Sequence, residues 1–275
     1  MRSKIAAEAV LVHGLDGLLE ANRLTKRERA LRPLVGKVEA EIAKGFLRQG
    51  ELFLRRFAKL KPRILEVTVP RDWLFLWQEV AGETLRFFVD PLELFGAEAL
   101  LAGGSQFISS IGIADLAFGL ENPRAIAYLD QFAGLKVTKI NAETQRQLAT
   151  LIQNSAREGG SYDALAKAIR ERFEGFANPL PQGHIQSRAH LVAVTEMGEA
   201  YEAAARMGVQ DLQAGGLQME KSWSTVGDGK VSDGCRQNEA EGWIPTNQVH
   251  GSGHMHPLRF PGCRCAEKYR RRRAA

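Results

Sequence analysis

The chain has 275 residues, of which 44% are hydrophobic and 25% charged, and a net charge of +5, enough material to bury a core without staples. No apolar run approaches the roughly 18 residues of a membrane span, and the apolar patch after Arg2 and Lys4 is interrupted by Glu8 and His13, unlike a signal peptide. Three cysteines in such a chain point to a reducing compartment and to synthesis in the cytosol, with thiols or metal ligands outranking disulfides.

The predicted elements are mostly helices. Residues 27–60 read as one helix near whose start Pro33 stands, because Leu31, Leu34, Val38, Ile42, Phe46, Phe53, Phe57 and Leu60 recur at helical spacing. Lys61-Pro62 ends it, and Asp72 is the expected N-cap of a helix over 73–88. Asp90-Pro91 predicts a new helix that Gly103-Gly104 stops, and Asn122-Pro123 begins another that runs to Phe132. Gly134 to Ile140 reads as a domain boundary, after which Asn141 caps a helix to about Arg157. Further helices are expected over 162–173 and 185–207, the first opened by Ser161, the second following the Asn178-Pro-Leu-Pro181 break and capped by Gly208. A strand over 217–225 and a Gly227-Asp-Gly229 turn follow, and the remainder is turn-rich.

The resulting expectation is an α+β fold, predominantly α-helical. It comprises a helical N-terminal region (1–134), a small α+β C-terminal domain (135–267) with a loop-rich end, and a basic tail (268–275). Charge is distributed unevenly over these parts. Residues 23–63 hold thirteen Lys/Arg against four Glu, and the tail holds Lys268, Arg270, Arg271, Arg272 and Arg273 with no acid. The segment between them carries an excess of acid. Two basic places on an acidic chain suit a polyanion contacted at two points, with the tail read either as a solvated end or as a non-specific contact to DNA phosphates.

All three cysteines fall in the last quarter, as do His250, His254 and His256. Cys235, Cys263, Cys265 and one histidine, His256 in preference to His254, form a candidate tetrahedral zinc site that would pin the loop-rich end. The opposing reading is three reduced thiols packed as small hydrophobes. Trp223 is expected in the core, since its neighbours alternate like a half-buried strand.

In chain order, residues 136–267 show Ile140-Asn-Ala-Glu-Thr-Gln, Leu165-Ala-Lys-Ala-Ile-Arg-Glu-Arg-Phe173, Val194-Thr195-Glu196, Lys221-Ser-Trp223, a turn at Asp228, Cys235, and Pro261-Gly-Cys-Arg264-Cys265. This ordered set resembles the C-terminal domain of phage head morphogenesis proteins, the Mu protein F-like minor capsid family. The resemblance implies a non-enzymatic minor virion protein at the portal vertex and capsid interior. Its expected partners are the portal protein, the major capsid or scaffolding protein and viral double-stranded DNA, with no membrane. It would be made in the host cytoplasm and act in head morphogenesis and DNA packaging or delivery. The helical N-terminal region becomes a docking candidate for portal or capsid, and no toxin-like domain is expected after Cys-Arg-Cys. The resemblance also makes a buried Glu196–Arg264 pair attractive, against Glu196 pairing along its own helix.

The competing reading is a zinc-dependent nuclease or toxin-like enzyme built from Cys235, His254, His256 and Asp228. Against it, no nucleophile elbow, phosphate-binding loop or His-Glu-x-x-His occurs, and the deaminase elements His-x-Glu and Pro-Cys-x-x-Cys are missing.

Overall fold

The computed structural model describes residues 24–60, 70–113, 116–177 and 187–272. The Lys61-Pro62 stop and the Asn178-Pro-Leu-Pro181 break lie outside the described residues, as does Arg273. Six long helices lead into a small sheet, so the α+β, mostly α reading holds. The helices are α1 (Lys26–Phe57, extended by a 3-10 turn Ala58–Leu60), α2 (Pro70–Glu83), α3 (Arg86–Ile111), α4 (Pro123–Arg157), α5 (Tyr162–Ala177) and α6 (Arg188–Ala214). They are followed by β1 (Met219–Ser224), α7 (Asp233–Ala240), β2 (Ile244–Pro245) and β3 (Ala266–Arg271). The sheet is antiparallel with order β2-β1-β3.

Helix α1 is the central rod. The apolar positions that predicted it, Leu31 through Phe57, face inward and pack with Trp77, Phe88, Phe132, Phe173 and Tyr201 in one continuous core. Phe46 meets Phe88 edge-on at 5.2 Å between centroids, and Phe57 stacks on Tyr162 at 5.5 Å. The helix starts at a capping box: Thr25 accepts from the Glu28 backbone N–H, and Glu28 reaches back to the Thr25 N–H. Thr25→Ala is expected to cost about 1 kcal/mol in denaturant unfolding.

Several expected breaks are absent, and each has a physical reason. Asp90-Pro91 starts nothing: α2 ends at Glu83, α3 begins at Arg86, and Pro91 lies inside α3. Gly103-Gly104 does not stop α3, which continues to Ile111 and ends at Gly112, in the left-handed region with φ 66°. These two glycines are points of close approach instead, Gly103 to α6 and Gly104 to the connection before α4. A Cβ on Gly103 would lie 2.0 Å from the Tyr201 carbonyl oxygen, and one on Gly104 would lie 2.2 Å from Phe118. Gly208 likewise sits inside α6 against Phe107, and that helix ends at Ala214 with Gly215 as its cap.

No helix break falls at 134–140, since α4 runs unbroken from Pro123 to Arg157. Asn122 caps it as expected, accepting from the Arg124 N–H at 2.9 Å with Pro123 in the first turn. Asn141 caps nothing: its Oδ1 accepts from Gln49 Nε2 of α1 at 3.0 Å, a tertiary bond. Core residues before and after position 134 belong to one cluster.

The basic end is a strand rather than a loose tail as far as Arg272 is described. In β3, Lys268 pairs with Ser222 and Tyr269 with Lys221 of β1. Arg270 lies 2.8 Å from Glu220 and its guanidinium rests 4.3 Å from the Trp243 ring centre.

Candidate functional site

The site is the corner where the Pro-Gly-Cys-Arg-Cys segment enters β3. Gly262 has φ 80°, a conformation only glycine adopts at low cost, and this turn aims Cys263 inward. Thr195 of α6 accepts the Gly262 N–H at 2.9 Å while donating to the Leu191 carbonyl at 2.7 Å, which fastens the corner to α6. Removing that acceptor leaves a half-buried N–H unpaired. Thr195→Val is therefore expected to cost about 1–3 kcal/mol in urea unfolding.

Cys235, in the first turn of α7, comes from the opposite side. The three Sγ atoms of Cys235, Cys263 and Cys265 lie within 4.8 Å of one another, all three residues buried and none in a disulfide. Among the described residues this is the one group of three or more His, Cys, Asp or Glu donors gathered closely enough to hold a metal ion. Its walls are Trp223, 1% exposed, Val231, Val226 and Leu258. Trp223 Nε1 is buried beside the thiols without a hydrogen-bond partner.

The thiols are electrostatically unequal. The Cys265 S–H donates to Cys263, which outweighs burial and, with backbone hydrogen bonds from Cys265 and Arg259, brings Cys263 down to about 5. The same bond, reinforced by burial, pushes Cys265 up. Cys263 is thus the readier of the two to give up its proton, and the deprotonated thiolate is the form that binds a cation.

The expected histidine ligands are elsewhere. Neither His256 nor His254 belongs to the thiol group. His254 Nδ1 lies 3.0 Å from the Ser252 carbonyl, and burial lowers His256 in surroundings that include Arg206, Glu267 and Lys221. Both ring nitrogens of His250 face carboxylates, Glu241 at 3.2 Å and Glu267 at 3.0 Å, and its ring meets Trp223 edge-on. The donors of the nuclease reading do not converge either, since Asp228 is turned to Arg264.

Glu196 follows neither expected pairing. Its partner is Lys136 of α4 at 2.9 Å, and burial raises the Glu196 carboxyl. Arg264 instead bridges Glu28 of α1, at 3.1 Å, and Asp228 of the turn after β1. Asp228 also accepts the Lys230 N–H at 3.0 Å.

The sequence reading missed the contribution of α1. Arg27, 4% exposed, donates to the Cys265 carbonyl, and its Nε lies 3.7 Å from Glu202 of α6. Glu202 also accepts the Glu267 N–H at 3.1 Å, and burial pushes its carboxyl up to about 7 despite Arg27. The Thr25-x-x-Glu28 spacing was a readable sign of a helix start, but nothing local showed that Glu28 would also take Arg264.

The basic candidates divide in two. On α1, Lys44, Arg48 and Arg55 are paired with Glu41 or Glu51, and Arg56 with Glu79 and Glu83, whereas Lys26, Arg29 and Arg32 lie on its exposed side. On β3 and just after it, Lys268, Arg271 and Arg272 are exposed while Arg270 is held by Glu220.

The helical body thus meets the three-stranded sheet at the Cys-Arg-Cys corner, which Thr195 of α6 fastens. Residues 146–267 match the family model described as Phage Mu protein F like protein. No curated protein and no solved structure matches the chain. Among the described residues, no helix is long and apolar enough to cross a membrane.

Proposed function

We propose that the protein is a non-enzymatic minor head protein of a tailed bacteriophage, placed at the portal vertex and capsid interior. There it acts in head morphogenesis and in DNA packaging or delivery. The observation that carries this reading is the family match over 146–267, which ends within β3 and includes the whole thiol corner. Its partners are the portal protein, the major capsid or scaffolding protein, and viral double-stranded DNA. DNA is met through phosphates by the exposed Lys268, Arg271 and Arg272, with Lys26, Arg29 and Arg32 of α1 as a second contact. The reading includes a structural zinc ion on Cys235, Cys263 and Cys265, the donor type that zinc favours.

The test is mass spectrometry of purified virions and procapsids, together with co-purification on tagged portal protein. The chain is expected in both particles and in the portal eluate. Its absence from purified particles would remove the proposal.

A further inference from the structure

We infer that Cys235, Cys263 and Cys265 bind a single divalent cation as a three-thiolate face, and that its fourth coordination position belongs to a small exchangeable ligand from solvent. This rests on the zinc reading above and adds how the site is completed.

Three sulfurs within 4.8 Å of one another match one face of a tetrahedron, in which metal–sulfur bonds of about 2.3 Å space the sulfurs about 3.8 Å apart. Among the described residues no His, Asp or Glu joins the group to fill the fourth corner, and His250, whose ring touches Trp223, already offers both nitrogens to carboxylates. What the three thiols do share is a cavity of about 20 Å³, bounded on its other sides by Lys230, Ser232, Phe260 and Arg264. That volume seats one water or the donor atom of a small ligand, and the exposed Lys230 and Phe260 at its edge leave the rest of such a ligand in solvent.

Three thiolates on a divalent cation leave one net negative charge, and Lys230 lies at the cavity wall to meet it, Arg264 being already paired with Glu28 and Asp228. Independent support comes from Trp223: its Nε1–H is buried in the same cluster as the thiols without a hydrogen-bond partner, which leaves it available as an outer donor to a metal-bound thiolate. Cys235 adds the partial positive charge of a helix N-terminus, since it lies in the first turn of α7.

The experiment uses the purified full chain, stripped of metal and kept reduced with a phosphine, and titrated with Co2+ and then Zn2+. One equivalent of Co2+ is expected to bind with sulfur-to-metal charge-transfer absorption, and Zn2+ is expected to displace it. Azide or 2-mercaptoethanol is expected to shift the visible cobalt bands by replacing the fourth ligand. His254→Ala and His256→Ala should leave the spectrum unchanged, and Cys263→Ser should abolish it while circular dichroism retains the helical signal. A native spectrum indifferent to both azide and thiol, or one lost in His256→Ala, would overturn the open position and leave the metal reading standing. Failure of the native chain to bind either ion would overturn both, and the native titration and histidine variants decide the matter even if Cys263→Ser does not fold.

Discussion

Gly103→Ala is expected to destabilise the protein by about 3 kcal/mol or more in denaturant unfolding, at the upper end of overpacking costs. The new methyl would fall 2.0 Å from the Tyr201 carbonyl oxygen, a backbone atom that no rotamer change can move aside. Helices α3 and α6 would have to separate where they cross, which loosens the contacts of Phe107 with Val209 and Tyr269 beneath the sheet. Gly134→Ala is the matched control. It lies mid-helix in α4 with nothing within 4 Å of its would-be Cβ. The substitution there is expected to stabilise by about 0.5–1 kcal/mol, because only the entropic penalty of helical glycine is removed. Loss of stability at Gly134 would refute the unbroken α4, and tolerance at Gly103 would refute the close crossing.

The second large effect is at Arg27. Arg27→Ala removes the cation beside buried Glu202 and the donor to the Cys265 carbonyl, and is expected to cost about 3–5 kcal/mol at pH 8. The cost should shrink toward pH 5, where Glu202 is neutral and needs no cation. The sign follows from the upward shift to about 7 from 4.5. A carboxyl raised on folding binds its proton more tightly in the native state. Its contribution is full below the unfolded value and is lost as pH rises through about 7. Glu202→Gln, which keeps an acceptor for the Glu267 N–H, is therefore expected to flatten the fall of stability between pH 5 and 8 relative to the native chain. Urea titrations of the native, Arg27→Ala and Glu202→Gln proteins at pH 5, 6.5 and 8 give these comparisons. An equal Arg27→Ala penalty at all three would show that Glu202 stays ionised throughout.

The unequal legibility of the sequence follows from what each residue does. The apolar stripe of α1 announced its helix because burial demands a 3.6-residue period wherever a helix lies on a core. Gly103 and Gly208 misled because small residues serve both as helix stops and as contact points between crossing helices, and Gly104 because it makes room for Phe118. Only the facing residue tells which, and for Gly103 and Gly208 these are Tyr201 and Phe107, distant in sequence. Asn141 misled in the same way, its side chain going to Gln49 rather than to its own backbone.

At the site, the thiols were legible by chemistry, since three cysteines in a reducing context have few uses. The histidines were not, because their nearness in sequence to Cys263 said nothing of the partners waiting for them. His250 was drawn off by Glu241 and Glu267, and His254 by Ser252. The Lys136–Glu196 pair joins two helices sixty residues apart, a match that neither local pattern encodes.

The two arginine contacts at the thiol corner span nearly the whole chain: Arg27 to Cys265 covers 238 positions, and Arg264 to Glu28 covers 236. During translation α1 precedes these partners by well over two hundred positions, and it buries its apolar stripe on helices made soon after it. Its first turn must wait for the Cys-Arg-Cys corner before Arg27 and Glu28 find their partners. Closure of such a long loop belongs late in folding. The start of α1 is thus held open until that corner is made, and the corner closes as a latch on the helices that precede it.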